Sequence, residues 1–418
     1  MTLKPPPLRN DCFSLPAGVN WTPVDEALAL LRTRLQRVVA STELPLTEAS
    51  GRILACDVIA KRSNPALPNT AVDGYGFAGA ISEGTHVLPL MPGRAAAGLA
   101  YEGSVPAGQA IRILTGAALP DGVDTVILEE DVTLGRAEIA FHGPLKRGAN
   151  TRKAGEDVTA GMVILPAGRV LTPADLALAA AAGISRIQAY LPLRVGVLST
   201  GDELCDVGEV AAPGQIYDAN RPMLLALLQQ MGFVAVDLGR VADDPEALRA
   251  RLDRAAAQVD VILTSGGASA GDEDHVSALL RDSGALQEWR IALKPGRPLA
   301  LAMWQGVPIF GLPGNPVAAL VCTLIFARPA MGQMAGANWH QPQGFDLPAA
   351  FAKHKKPGRR EYLRARVRQG QVEVFKSEGS GRISGLSWAE GLVELADGGA
   401  EIQPGELVRY IPYSAFNL

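Results

Sequence analysis

Residues 259–276 read VDVILTSGGASAGDEDHV. Apart from Asp260, the first five residues are aliphatic and mostly β-branched, which is how a strand buried on both faces is composed. The chain then leaves through small residues, Thr264 to Gly267, and arrives at three carboxylates that open the helical spacing of DEDHVSALLRDSG. A buried strand, a glycine turn and a helix in that order make half of a βαβ unit.

The flanking sequence supplies the rest. LRVGVLST (193–200) is a buried strand, and NRPMLLALLQQMG (220–232) is a helix opened by Asn220 and stopped by Gly232. FVAVDLG is a strand, and DDPEALRARLDRAAAQ is a helix that Asp244 caps and Pro245 begins. WRIALKPG is a strand, PLALAMW and VPIFGL are two strands joined at Gln305-Gly306, and PVAALVCTLIFARPAM is a helix. Strand and helix alternate through short connections, the pattern of a parallel sheet with helices on both faces.

Outside this block the texture changes. Residues 1–20 are Pro-rich and read as an extended arm. VDEALALLRTRL follows, with Thr22 as its cap and Pro23 in its first turn; LTPADLALAAAAGI repeats the device with Thr172, Pro173 and a closing Gly183. Between these helices, residues 51–148 are rich in Gly, Pro and Val with short strand-like runs. Short strands separated by turn dipeptides return at 340–418. The expected fold class is multidomain α/β plus β. It comprises a discontinuous helical linker domain (1–50 and 149–185), a β-rich insert lobe (51–148), a doubly wound α/β domain (186–335) and a small C-terminal β domain (340–418).

Composition narrows the function classes. At 418 residues the chain exceeds one ordinary domain. Its 39 basic and 43 acidic side chains give a net charge of −4, which argues against a large nucleic-acid surface. The four cysteines, Cys12, Cys56, Cys205 and Cys322, are too scattered for a metal knuckle and fit a reducing cytoplasm. The N-terminus lacks a signal-peptide core, and no apolar run reaches the roughly 20 residues that span a bilayer. Five histidines show no metal spacing, and neither a Walker A pattern nor a GxGxxG after a strand is present.

Ligands of parallel α/β sheets bind beyond the carboxyl ends of the strands. Four loops lie at such ends: TGDEL (200–204), TSGGASAGDED (264–274), KPGRP (294–298) and LPGNP (312–316). Gly266 and Gly267 let backbone approach a ligand and offer N–H groups to anionic oxygens, and Ser265 and Ser269 add hydroxyls. Asp202, Glu203, Asp272 and Asp274 would repel a phosphate unless a divalent cation lay between, and oxygen donors suit Mg²⁺; helix capping is the alternative for Asp272 or Asp274. Lys294 and Arg297 could clamp a tetrahedral oxyanion. A second acidic set lies in the insert and where it rejoins: Asp73 in a turn, Thr115-Gly116 in another, and Glu156-Asp157.

In order, AVDGYG (71–76), LTGAALPDG (114–122), RKAGED (152–157), LSTGDEL (198–204), GQIYDAN (214–220), SGGASAGDED (265–274), KPGRP (294–298) and LPGNPVA (312–318) resemble the motifs of the molybdopterin molybdenumtransferases, the family of bacterial MoeA and the matching gephyrin domain. The match spans about 20–335, and the C-terminal β domain has the expected size. The resemblance implies an elongated homodimer of four-domain chains whose α/β domain binds molybdopterin. It implies a Mg²⁺-dependent transferase: adenylylated molybdopterin and molybdate give molybdenum cofactor and AMP. It also implies that the insert of one chain meets the partner's α/β rim, bringing catalytic Asp73, Thr115 and Asp157 to the acids Glu203, Asp272 and Asp274. Asn315 and Pro316 would shape the oxyanion loop, with Arg360 or Arg364 and Ser384 as further contacts. Three departures stand out: Val72 where Met is usual, Arg297 where Lys is usual, and Ala318 where a Ser often ends the last motif.

Expected partners are small-molecule substrates, with transient contact to a molybdopterin adenylyltransferase and to apo-molybdoenzymes, and neither nucleic acid nor membrane. Competing readings are an adenylyltransferase on the same α/β fold, a gephyrin-type scaffold and a tungstate-tuned paralogue. Asp272→Ala and Lys294→Ala are each expected to lower cofactor yield sharply.

Overall fold

The computed structural model describes residues 21–266, 279, 287–296 and 298–418. The chain divides into a larger unit, Met1–Ser41 with Tyr190–Leu418, and a smaller unit, Thr42–Ala189.

The larger unit is built on a six-stranded sheet in the order Val234–Val241, Arg194–Thr200, Val261–Ser265, Val307–Leu312, Pro298–Trp304, Gln287–Arg290. The first four strands are parallel. Pro298–Trp304 runs against both its neighbours, so Gln287–Arg290 again points the same way as the parallel four. Strand Val261–Ser265 is buried at every position, because helices cover both faces of a parallel sheet. On one face, Leu248, Leu252 and Ala255 of helix Pro245–Ala256 pack on Leu198, Leu238, Ile262 and Ile309. Full burial of a leucine such as Leu252 contributes about 1.5–3 kcal/mol.

Asp244 caps that helix as expected, its Oδ1 accepting from the N–H of Glu246 and Ala247. Gln305 and Gly306 both take positive φ, 48° and 84°, as a tight two-residue hairpin needs. The apolar run from Pro316 becomes one composite helix: α at Pro316–Cys322, a π segment at Thr323–Ala327, and α at Arg328–Met334. Pro329 has no N–H for a regular i→i−4 bond, which accounts for the local widening. This helix is long and apolar enough to cross a membrane, but 89% of its window is buried inside the unit, which marks it as a core helix.

The C-terminal residues form a second six-stranded sheet. Arg360–Arg368, Gly391–Leu395, Leu407–Pro412 and Phe345–Pro348 are consecutive neighbours, and Gln371–Val374 pairs back on Arg360–Arg368. Leu293–Lys294 joins the same edge, in parallel register with Arg360 and Glu361. WRIALKPG, read as one strand of the α/β sheet, therefore divides between two sheets.

Two helix starts differ from expectation. Thr22 does not cap the first helix; the N-cap of Val24–Arg34 is Pro23, with no side-chain bond, while the Thr22 carbonyl accepts from Ala292 N. Helix Asn220–Gln230 is not capped by Asn220; Asp218 Oδ1 accepts the Arg221 N–H instead.

The smaller unit holds a six-stranded sheet in the order Thr125–Leu128, Gly74–Phe77, Ala110–Ile113, Ile81–Ala95, Glu138–Leu145, Val132–Leu134. A second cluster packs helix Pro173–Ala181 with Leu44, Leu54, Leu165, Leu171 and Ile187. Thr172 caps this helix in a full capping box with Asp175, and Gly183 ends it at φ 81°. Helices Val24–Arg34 and Pro173–Ala181, expected to bracket one discontinuous domain, fall in different units.

Candidate functional site

A cavity of about 810 Å³ opens at the carboxyl ends of the parallel strands. All four expected loops line it: Thr200 and Glu203 from the first, Ser265 and Gly266 from the second, Lys294 to Gly296 from the third, Pro313 to Pro316 from the fourth. A fifth wall, Glu378 to Ser380, comes from the C-terminal sheet's loops.

Small residues at this rim have steric causes. Gly266 sits at φ 93°, and a Cβ there would lie 2.8 Å from the Thr200 carbonyl. Its N–H, expected to face an anion, donates to the Leu312 carbonyl at 3.2 Å. Gly296 sits at φ 99°, with Cys322 Sγ 2.8 Å from where a Cβ would stand. The Ser265 hydroxyl is buried and accepts from Asn220 Nδ2 at 2.8 Å; the same amide donates to Gly314 O at 2.7 Å. Asn220, read above as a helix cap, thus ties the second loop to the fourth, and Asn220 Oδ1 is buried without a hydrogen-bond partner.

The acids separate by position. Glu203 lines the cavity. Asp202 does not; it braces the neighbouring loop, its Oδ1 accepting from Asp243 N at 3.1 Å while its own N–H donates to Asp243 Oδ2 at 3.2 Å. Asp218, from GQIYDAN, lines the cavity too and has a buried Oδ2 without a hydrogen-bond partner. Gly267, Ser269, Asp272, Asp274 and Arg297 lie outside the described residues. Among the described residues no group of three or more His, Cys, Asp or Glu side chains could hold a metal ion. The donor chemistry present, the Glu203 carboxylate with the Asp218 and Asn220 oxygens that lack a hydrogen-bond partner, is all hard oxygen of the kind Mg²⁺ takes, with Asp218 Oδ2 also 3.5 Å from Arg221 Nε.

Lys294 Nζ donates to Glu378 Oε2 at 2.6 Å and lies 3.4 Å from both Glu361 oxygens. Lys353 Nζ pairs with the same two acids, Glu361 at 3.2 Å and Glu378. Burial disfavours the charge on Glu378, but hydrogen bonds from Lys294 and Lys353 outweigh it and hold the carboxyl below its usual value. Burial likewise opposes the Lys353 charge, and Glu378 and Glu361 raise its pKa regardless. The sequence offered no signal for this ring, because its members come from four separate segments.

The three looser contacts have other partners. Arg360 pairs bidentately with Asp25, at 2.8 Å each, and with Asp397. Arg364 donates to the carbonyls of Arg382, Ser377 and Gly379, holding the 377–382 loop in place. Ser384 begins the short helix Ser384–Trp388, and it is Ser380 that reaches the cavity.

In the smaller unit, Asp73 Oδ1 accepts from both the N–H and the hydroxyl of Thr115, each at 2.6 Å. Those bonds, the hydroxyl's first, lower the Asp73 pKa. Asp157 accepts from Asn64 Nδ2 at 3.1 Å and lines a pocket of about 460 Å³ with Asn64, Asn69, Arg152 and Glu156.

Sequence-family models match three stretches: the MoeA N-terminal region (domain I and II) at 22–183, a probable molybdopterin binding domain at 196–333, and the MoeA C-terminal region (domain IV) at 346–413. A Haemophilus influenzae protein named molybdopterin molybdenumtransferase is 36% identical over 94% of this chain and 98% of its own length. A Mycobacterium tuberculosis protein, molybdopterin molybdenumtransferase 2, is 34% identical over 88% of this chain and 96% of its own. The crystal structure of the molybdopterin biosynthesis moeA protein from Pyrococcus horikoshii OT3 superposes with a TM-score of 0.81 at 27% identity, covering 94% of this chain and all of that one. With its three matched regions in order and a relative aligned along nearly the whole length, the chain belongs to the MoeA family of molybdopterin molybdenumtransferases.

Proposed function

We propose that this transferase inserts molybdenum from molybdate into adenylylated molybdopterin and releases AMP, in a Mg²⁺-dependent step of molybdenum cofactor synthesis in the cytoplasm. The observation that carries the reading is the meeting of four strand-end loops, a lysine and an acidic wall at one cavity of about 810 Å³. Relatives named molybdopterin molybdenumtransferase support the chemistry assigned to it.

In this reading the loops at Ser265, Gly266 and 312–316 bind the phosphoanhydride end of the pterin, together with Gly267 and Ser269. Lys294 and Arg297 hold the tetrahedral dianion as a point charge and a fork. Glu203, with Asp272 and Asp274, would hold Mg²⁺, which neutralises phosphate charge and lowers the pKa of bound water. Asp202, tied to Asp243, steadies Glu203's loop. Asn315 and Pro316 shape the oxyanion wall. In a homodimer, Asp73, Thr115 and Asp157 of one chain complete the site of the other. The four-domain division, with the α/β domain at 186–335, belongs to the same proposal.

Purified protein given adenylylated molybdopterin, Mg²⁺ and molybdate is expected to activate an apo-molybdoenzyme and to release AMP, and Lys294→Ala to cut the yield at least tenfold with an unchanged circular dichroism spectrum. AMP transfer from ATP to molybdopterin without any use of molybdate would overturn the assignment in favour of an adenylyltransferase.

A further inference from the structure

The ammonium assigned to the oxyanion is already engaged. Lys294, Lys353, Glu361 and Glu378 form a closed ring of two cations and two anions. Its members are not equally fixed. The side chains of Lys353 and Glu361 are 9% and 8% exposed, whereas Glu378 is 48% exposed. Glu361 is also pinned by the strand register that sets Leu293–Lys294 beside Arg360 and Glu361. Glu378 instead sits on a loop between strand Gln371–Val374 and helix Ser384–Trp388, and it lines the cavity itself.

We infer that Glu378 is a resident carboxylate that occupies the cation meant for the incoming oxyanion, and that it swings off Lys294 when the dianion binds. This rests on the assignment of Lys294 to oxyanion binding. With Glu378 in place the ring is neutral, and a dianion gains no net attraction. With Glu378 withdrawn, Lys294 and Lys353 against Glu361 leave one net positive charge facing the cavity. The arrangement acts as a specificity filter. A monoanion of low charge density cannot repay displacement of a carboxylate bonded to two ammonium groups, and a tetrahedral dianion replaces those bonds in kind. The loop's backbone stays put during the exchange, because Arg364 holds the carbonyls on either side of Glu378, those of Ser377 and Gly379.

The test is molybdate binding by the full-length protein at neutral pH, followed calorimetrically, for the wild type, Glu378→Gln, Lys294→Ala and the double variant. Glu378→Gln is expected to bind molybdate about tenfold tighter or better and to discriminate less against chloride. Lys294→Ala and the double variant are expected to lose most binding. Unchanged or weaker binding by Glu378→Gln, with a cooperative thermal unfolding retained and Lys294→Ala defective, overturns the inference and leaves the oxyanion site standing. Wild-type binding by Lys294→Ala instead overturns the site assignment itself. Should Glu378→Gln not fold, Glu378→Asp takes its place. Its shorter arm cannot span both ammonium groups, and it too must tighten binding or the inference fails.

Discussion

Asn220 spends both amide hydrogens on the cavity floor, one on Ser265 Oγ and one on the Gly314 carbonyl. Its replacement by alanine leaves the buried Ser265 Oγ and the part-buried Gly314 carbonyl without their donor, and loss of a buried partner costs about 1–3 kcal/mol. Asn220→Ala is expected to lower the urea midpoint accordingly without changing the m-value, and Asn220→Asp to be worse, since it sets an acceptor against the Gly314 carbonyl. Burial pushes the Cys322 thiol up to about 12, so almost no thiolate exists at pH 8. Peptide mapping after iodoacetamide at that pH should show label on exposed Cys56 and none on Cys322. For Glu378 the sign runs the other way. Its carboxyl titrates below the usual value, so its stabilising effect is complete above the ordinary glutamate range and is lost as the pH falls through the lowered value. The difference in melting temperature between wild type and Glu378→Gln should therefore be flat from pH 8 to about 5 and close towards zero in more acid solution.

Among the elements, helix Pro173–Ala181 carries the clearest local device, and Thr172→Ala should cost about 1 kcal/mol in a thermal melt. The Thr172 cap was legible in the sequence, as were Asp244 before Pro245 and the Gln305-Gly306 turn, because each depends on residues within a few positions of one another. The buried strands were legible for the same reason. Asn220 was misread because a residue that suits a cap is equally able to bond something far away in sequence, and here tertiary partners won. Thr22 was misread because it sits in a bridge with Ile291, one residue before the cap position at Pro23. The split of 287–294 between two sheets was invisible for a related reason: an apolar run does not say which edge it will pair with.

At the level of the whole molecule, the convergence of four loops could be foreseen, since the carboxyl ends of parallel strands share one rim. The fifth wall could not, because nothing in the spacing of Lys294 announces Lys353, Glu361 and Glu378 from the C-terminal residues. The strands expected within 51–148 form one six-stranded sheet, and the smaller unit that holds it runs from Thr42 to Ala189. The chain leaves the larger unit after Ser41 and returns at Tyr190. Those two points adjoin: Leu191 N donates to Ala40 O at 2.9 Å, and the Arg37 guanidinium lies 4.7 Å from the centre of the Tyr190 ring. A chain in which a short Gly-Ser linker replaces residues 42–189 should therefore keep a cooperative melt and a native near-ultraviolet spectrum while losing cofactor synthesis.

That adjacency of Ala40 and Leu191 bears on how the polypeptide assembles as it is made. An unstructured tether between the two points would tax their meeting, though only by about 0.6 kcal/mol per doubling of its length. Once the intervening residues have condensed into their own body, its two ends stand side by side, and the segments before and after it meet as if the excursion were a tight bend. Synthesis from the N-terminus delivers the pieces in that order, so residues 42–189 are complete before the strands that frame the cavity leave the ribosome.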